Sequence, residues 1–295
     1  MLSILITIYN YNLLPLVKEL HQQCKDLNIE FEILTQDDAS NSVYNSENEK
    51  INHLSNCQFI SLKKNVGYRE NKNILVSYSK YENLLILDGD CLLPYPNFIK
   101  NYLNEIENHE VVYGGRIHAE KAPSKKQLLR WKYGRHMEDQ TVEQRNKNRY
   151  RATLFNNTLI KKTVFNQIKF DSSFKKYGND DTLFSFELQK MNAKIIHIHN
   201  PVQHDDIDTN AVYIEKTKNS LDNLYLLYKK ELITKEYSKM VSLITKLHTY
   251  KITYLLAVLH WVFGTLFERQ LKGNQPSLFV FNVFRLTYFS KIYIG

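Results

Sequence analysis

The run Leu84-Leu85-Ile86-Leu87 ends in Asp88-Gly89-Asp90, and this stretch restricts the fold more than any other in the chain. Unbroken apolar residues leave no polar face, so the segment reads as a strand covered on both sides. Carboxylates are not tolerated in the packed middle of such a strand. They are at home at its C-terminal end, where open α/β sheets keep their ligand crevice. Acids at i and i+2 project from the same side of a strand. Such a pair suits a hard divalent cation, which takes oxygen ligands and leaves coordination positions for substrate phosphate. The pattern points to a metal-dependent enzyme acting on a diphosphate-containing substrate.

The surroundings of this strand fit a sheet of that kind. Leu2 to Ile8 reads as a first, central strand, and Leu13, Val17, Leu20, Cys24 and Leu27 follow at helical spacing. Phe31 to Thr35 is a second strand, ending in Gln36-Asp37-Asp38-Ala39-Ser40, and a third lies around Phe59 to Leu62. A helix over Asn71 to Tyr78 leads into the Asp88 strand. Strand–helix alternation argues for an α/β chain with a mainly parallel sheet and helices on both faces. Val111 to Tyr113 is a further strand before a Gly114-Gly115 turn. The polar, basic stretch from Lys121 to Arg151 reads as exposed helix or a mobile loop over the site. Helices are expected over Ile160 to Gln167 and over Asp181 to Met191, the latter with Leu183, Phe184 and Leu188 inward. A last strand is expected over Lys194 to Ile198. The reading divides the chain into a catalytic domain, 1–225, and a C-terminal helical region, 226–295.

That C-terminal region differs in charge. The net charge is +8, and from Lys229 onward ten Lys/Arg against three Glu supply +7 of it. The basic residues are interleaved with Trp261, Phe279, Phe284 and Tyr288, so the region either packs on the catalytic domain or lies on an anionic membrane surface. Its longest apolar run, Ile252 to Phe267, is interrupted by His260 and Gly264. As a helix it reaches about 24 Å, short of a hydrocarbon core of about 30 Å. No nucleic-acid motif accompanies the charge, so nucleic acid is not an expected partner. Cys24, Cys57 and Cys91 form no CxxC, which argues against a disulfide framework or a zinc site and fits a reducing cytosol. The N-terminus has neither a basic leader nor a small-residue cleavage site, so no signal peptide is expected. The expected location is cytoplasmic, with peripheral contact at the inner face of the membrane.

Five signals stand in order: Thr7-Ile8-Tyr9-Asn10; Asp37-Asp38-Ala39-Ser40; Asn65-Val66-Gly67 before Lys72-Asn73; Asp88-Gly89-Asp90; and Tyr177-Gly178-Asn179-Asp180-Asp181, with Asn200-Pro201-Val202-Gln203-His204 beyond the next strand. Together they resemble a family 2 glycosyltransferase of the GT-A fold, over about residues 1 to 225. The resemblance implies a Rossmann-like catalytic domain that inverts configuration while moving a sugar from a nucleotide-diphosphate donor, most simply a UDP-sugar. It implies that Thr7, Tyr9 and Asp38 hold base and ribose, with Asp38 accepting from the base. Asn65, Gly67 and Lys72 match the segment beside the diphosphate, with lysine in place of the usual arginine and so without the bidentate fork. Asp90 would ligate the metal, Asp88 would reach metal or ribose, and Gly89 would allow close approach of substrate. His204 would complete the shell, with His197 and His199 as rivals, and an imidazole ligand favours Mn2+ over Mg2+. Asp181 would be the general base and Asp180, where the family has glutamate, would bind acceptor hydroxyls. Gly115-Arg116 is a candidate contact to acceptor or donor sugar. The acceptor class is a glycan or a polyprenyl-diphosphate-linked glycan, as in surface polysaccharide synthesis.

Gln127-Leu128-Leu129-Arg130-Trp131 spells the QxxRW string of processive synthases, but it precedes the expected base instead of following it, so processivity is not inferred. Two other classes share part of this pattern. A sugar-nucleotide nucleotidyltransferase calls for a Gly- and Arg-rich loop after the first strand, where this chain has Tyr9-Asn10-Tyr11-Asn12. A non-catalytic basic protein that binds membrane or nucleic acid would leave the ordered acids unexplained.

Overall fold

The computed structural model describes residues 1–295 except Lys175 and Asp206. The chain forms two compact units: 1–117, 139–173 and 187–206 make the first, and 118–138, 174–186 and 207–295 make the second. Up to the Asp88 strand the elements are β1 (Leu2–Ile8), α1 (Leu14–Asp26), β2 (Phe31–Asp37), α2 (Asn45–Asn48), β3 (Cys57–Ser61), α3 (Tyr68–Tyr78) and β4 (Asn83–Asp88). There follow β5 (Cys91–Leu92), α4 (Phe98–Leu103), β6 (Val111–Tyr113), β7 (Arg116–His118), α5 (Leu128–Tyr133), α6 (Val142–Asn146), β8 (Asn157–Lys161) and α7 (Lys162–Ile168). The chain ends with α8 (Asp180–Lys190), β9 (Ile195–His197), β10 (Val202–His204), α9 (Asn210–Lys229), α10 (Lys239–Thr249), α11 (Ile252–Lys272) and α12 (Leu278–Ile294).

In the first unit a seven-stranded sheet runs in the order β3-β2-β1-β4-β8-β6-β9. Strands β3, β2, β1 and β4 are mutually parallel, and β9 is parallel to β6. Only β8 runs against its neighbours, β4 and β6. Both faces of the central strands are covered: every residue from Leu84 to Leu87 is buried, as is every residue of β2. The core on one face joins Ile4, Ile6, Ile33 and Leu85 to Val17, Leu20 and Cys24 of α1 and to Phe98 and Tyr102 of α4. A small sheet, β5-β10-β7, lies beyond the end of β4.

Two expectations are corrected. The helix expected from Ile160 begins at Lys162; Ile160 belongs to β8, which turns directly into α7 without a glycine or proline between them. The segment from Lys121 to Arg151 is neither simply exposed nor a bare loop. It contains α5 and α6, and each carries a buried arginine. Arg145 donates to the carbonyl oxygens of Gly114, Gln140 and Ile198 and to His197 Nδ1.

The second unit is helical. Leu221, Leu224 and Leu227 of α9 pack with Val241 and Ile244 of α10 and Phe289 of α12. A neighbouring cluster joins Leu129 of α5 to Ile214, Leu271, Phe281 and Phe284. The helix α9 runs through position 225, where the sequence reading puts its boundary. The QxxRW string has a structural use here. Arg130 is buried against Glu138 at 2.9 Å, Trp131 Nε1 donates to the Ala119 carbonyl at 2.8 Å and Gln127 Nε2 to that of Ile207 at 2.8 Å.

Candidate active site

Sheet register assembles the donor side. Thr7 pairs with Asp88 and with Gln36, and Ile8 with Asp37, so the C-terminal ends of β1, β2 and β4 lie abreast. Two backbone bonds lock the exits: Asp38 N–H donates to the Ile8 carbonyl at 3.1 Å, and Gly89 N–H to that of Thr7 at 3.2 Å. Thr7 is half-buried and Tyr9 is exposed at this edge. The glycine of Asp88-Gly89-Asp90 is demanded by packing. A Cβ on Gly89 would fall 2.0 Å from Ile8 Cγ2 and 2.9 Å from Leu13 Cδ2, so the missing side chain makes room for the core, whatever approaches from outside.

Asp37 and Asp38 serve the loops before they serve a ligand. Asp37 is fully buried and accepts from Ser40 N–H and Oγ and from Asn45 Nδ2. Asp38, 4% exposed, accepts Val66 N–H at 2.7 Å and Gly67 N–H at 2.9 Å, one on each oxygen. Asn65 Nδ2 returns a bond to the Asp38 carbonyl at 3.0 Å. Gly67, at φ +85°, then caps α3 in a conformation that disfavours other residues. Thus Asp38, Asn65 and Gly67 do converge, and the carboxylate expected to meet a base also shapes the loop, one N–H on each oxygen. Asp38→Ala is expected to lose about 1–3 kcal/mol of stability, because Val66 N–H loses its charged acceptor and Gly67 N–H keeps only the longer bond to Asn65 Oδ1 at 3.2 Å. Urea unfolding measures this; a loss under about 0.5 kcal/mol would show that the loop holds without the carboxylate.

Lys72 is likewise committed. It is buried, its Nζ lies 2.9 Å from Asp88 Oδ1, and it donates to the Phe155 carbonyl at 3.0 Å. A compact ammonium serves both partners, without the planar fork an arginine would bring. Lys72 therefore sets the position of Asp88 at the strand end.

Asp90 and His204 form the candidate metal pair. Strands β5 and β10 pair antiparallel, His204 opposite Cys91, which brings His204 Nδ1 to 3.4 Å from Asp90 Oδ2. Adjacent ligands of an octahedral cation bound at 2.0–2.1 Å sit about 3 Å apart, so the spacing fits a shared cation. Among the described residues no group of three or more His, Cys, Asp or Glu is arranged to hold a metal. The donor set thus fits a cation that takes two protein ligands and draws the rest from diphosphate and water, the usual habit of Mg2+ and Mn2+. Of the two rivals, His197 is engaged within the fold and His199 is exposed. His197 is buried, accepts from Arg145 Nε on Nδ1 and lies 2.9 Å from the Arg149 carbonyl on Nε2. Burial lowers its pKa to about 4, so it stays a neutral structural ring. His199 meets Tyr95 Oη at 3.3 Å.

Sequence reasoning missed two residues here. Tyr11 Oη donates to Asp205 Oδ2 at 2.8 Å, and Asp205 N–H donates to the Asp90 carbonyl at 3.0 Å. Burial, then the bond to Asp205, pushes the Tyr11 phenol well above its ordinary range, so it remains a donor. Adjacency of Asp205 to His204 was the available signal.

The expected base lies in the second unit. Asp180 and Asp181 open α8, where the helix dipole favours anions. The preceding loop is pinned to α9. Asn223 Nδ2 donates to the carbonyls of Lys176, Tyr177 and Gly178, and Asn179 Nδ2 to Ser220 Oγ at 2.9 Å. Gly178, at φ +94°, lies so close to Ser220 that a Cβ would come within 2.8 Å of it.

A Rossmann-type sheet with acids at the ends of β2 and β4 and an acid–imidazole pair beside them defines the GT-A class. Residues 3–181 match the model of glycosyl transferase family 2, and the chain belongs to that family. Among solved structures it is similar to Staphylococcus aureus TarS 1-349, at 18% identity and a TM-score of 0.50, over 77% of this chain and 65% of that one. A complex of TarS 1-349 with UDP is 15% identical over 99% of this chain and 90% of that one, with a TM-score of 0.51. The mannosyltransferase PcManGT of Pyrobaculum calidifontis, in complex with GDP-Man and Mn2+, is 12% identical over 77% of this chain and 64% of that one, with a TM-score of 0.54. At these identities the likeness is one of fold. The chain spans just under two thirds of TarS 1-349 in the first of these alignments and of PcManGT, and 40% of the longer TarS structure. No curated protein matches the chain.

Proposed function

We propose that the chain transfers a sugar, with inversion, from a UDP-sugar to a hydroxyl of a glycan or polyprenyl-diphosphate-linked glycan in surface polysaccharide synthesis. The observation that carries this reading is the placement of Asp90 and His204 3.4 Å apart beside the strand-end Asp88. Complexes of similar folds with UDP, UDP-GlcNAc, or GDP-Man and Mn2+ support a nucleotide-sugar donor and a divalent cation. Thr7 and Tyr9 would line the nucleoside, and the loop that Asp38 shapes, Asn65 to Gly67, would border it with backbone groups. Asp90 and His204 would hold Mn2+ or Mg2+, and the cation would supply positive charge to the diphosphate as the leaving group departs.

The chain's own residues supply the remaining chemistry. Asp181 takes the proton from the acceptor hydroxyl, and Asp180 hydrogen-bonds a neighbouring hydroxyl to fix its orientation. The acceptor oxygen forms a bond to the anomeric carbon as the bond from that carbon to the β-phosphate oxygen breaks, releasing UDP. Lys72 holds Asp88 in place and adds a positive charge near the phosphates.

The reading is tested by thermal shift with a panel of nucleotide sugars, each with and without manganese. A UDP-sugar with manganese is expected to raise Tm by about 5 °C near saturation, since ligand binding adds a few kcal/mol by mass action. A flat response to every nucleotide sugar under both conditions overturns it.

A further inference from the structure

Helix α11 is packed inside out. Its buried positions include Thr253, Ala257, His260 and Gly264, which are small or polar and recur on one face. That face lies against α12. His260 Nδ1 and Thr287 Oγ1 are 3.1 Å apart, and the imidazole packs on Phe284 and Tyr288. The outward face carries the large apolar side chains: Leu255 is 71% exposed and Trp261 83%, with Val258, Val262 and Leu266 exposed between and beyond them. A surface helix of a soluble protein has the reverse order.

The charge around this face is net basic: Glu215 and Glu268 at its C-terminal end are both paired with Lys218 and Lys272. No Asp, Glu, Lys or Arg occurs from Ile252 to Phe267. Exposed Lys251 precedes the run, and exposed Arg269 and Lys272 follow it. The single acid of the helix, Glu268, is half-buried and bound to Lys218 at 2.5 Å and Lys272 at 2.6 Å.

We propose that this face of α11 is a membrane-contact surface that lies flat in an anionic lipid leaflet. Leu255, Val258, Trp261, Val262 and Leu266 enter the acyl boundary, and Lys251 and Arg269 meet lipid phosphates at the two ends. Among the described residues no single helix is long and apolar enough to cross a membrane. The pair α10 and α11 passes that test only jointly, and it is bent by 109°. Charge complementarity selects lipid over a second copy of this chain. Parallel or antiparallel, two such faces bring basic ends together, and like charges in an interface oppose association. An anionic leaflet satisfies both ends at once. The inference deepens the reading of a lipid-linked acceptor and rests on it for its purpose.

The test is co-sedimentation of the full chain with vesicles of phosphatidylcholine alone or mixed with phosphatidylglycerol. Preferential binding to the anionic vesicles, weakening with added salt, is expected. The double variant L255E/W261E, altered only at exposed positions, is expected to bind at least about tenfold more weakly while keeping its Tm. Equal binding to both vesicle types, no binding, or binding unchanged in the variant overturns the proposal. So does sedimentation velocity showing a dimer that the double variant dissolves, without vesicle binding. A nucleotide-sugar thermal shift on the same samples separates the two readings. Lost vesicle binding with the shift intact sinks only this surface, and vesicle binding with no shift sinks only the transferase reading.

Discussion

Asp181→Asn is expected to lower turnover by at least about a hundredfold while leaving UDP affinity within about twofold, because general-base assistance contributes about 10²–10⁴-fold. The substitution keeps the size and polarity of the side chain and removes its capacity to take a proton. What fixes the loop before α8 is the set of carbonyls accepting from Asn223 and the bond from Asn179 to Ser220, none of which involves the Asp181 carboxylate. A small loss of stability, about 0.5 kcal/mol, is expected from removing an acid at a helix N-terminus. The variant should therefore unfold near the wild-type temperature and bind UDP, so an activity loss reads as chemistry. Near-normal turnover would take the base role from Asp181. A loss shared equally by turnover and UDP binding would show that α8 had been disturbed. Asp180→Asn gives the contrast: an acceptor-binding residue raises the acceptor KM more than it lowers kcat.

The strands were legible because burial on both faces erases polar alternation. Leu2 to Ile8, Phe31 to Thr35 and Leu84 to Leu87 are runs that no exposed segment would carry. Strand β8 was not, for two reasons. Its Asn157 and Thr158 are polar yet buried, and its apolar Leu159 and Ile160 fall into helical phase with Val164 and Phe165 of α7. Asn157 shows what sequence alone hides: its side chain donates to the carbonyls of Gly115 and Asn200 and accepts from Tyr102 Oη, three partners distant in the chain. The buried arginines Arg130 and Arg145 were missed on the same ground, since a basic stretch reads as solvated until the carbonyls and carboxylate that receive it are in place.

The candidate site was legible as a set of positions and less so as a set of tasks. Asp38, Asn65 and Gly67 were grouped correctly in space, but the spacing gave no sign that the carboxylate would turn to the backbone N–H groups of Val66 and Gly67. Lys72 could be read as a phosphate contact or a solvated lysine. The structure gives it a third use, a buried partner for Asp88. In each case the deciding fact is which donor is left without water once the loop closes, a property of the packed chain that no motif spells out.

Asp90→Ala is expected to abolish the response of turnover to added manganese and to lower activity by about 10²–10³-fold, matching the several kcal/mol that metal charge contributes to such reactions. Asp90 makes both main-chain and side-chain contacts, and alanine removes only the latter. Its carbonyl accepts Asp205 N–H at 3.0 Å and stands 3.3 Å from His204 Nδ1. The pairing of Gln203 with Leu92 and of His204 with Cys91 is also main-chain. Alanine keeps all of these, so β5 and β10 stay paired and His204 stays where it is. What disappears is the carboxylate 3.4 Å from the imidazole. The ion pair with His204 itself contributes less than about 1 kcal/mol, because the Asp90 side chain is a third exposed and such pairing is weak in water. His204→Asp is the companion variant. Replacing the nitrogen donor by oxygen should move preference from manganese towards magnesium without abolishing the metal response. An Asp90→Ala enzyme whose manganese titration overlays the wild type would remove the acid–imidazole pair from any metal-binding role. The divalent requirement, if retained, would then belong to other residues of the chain.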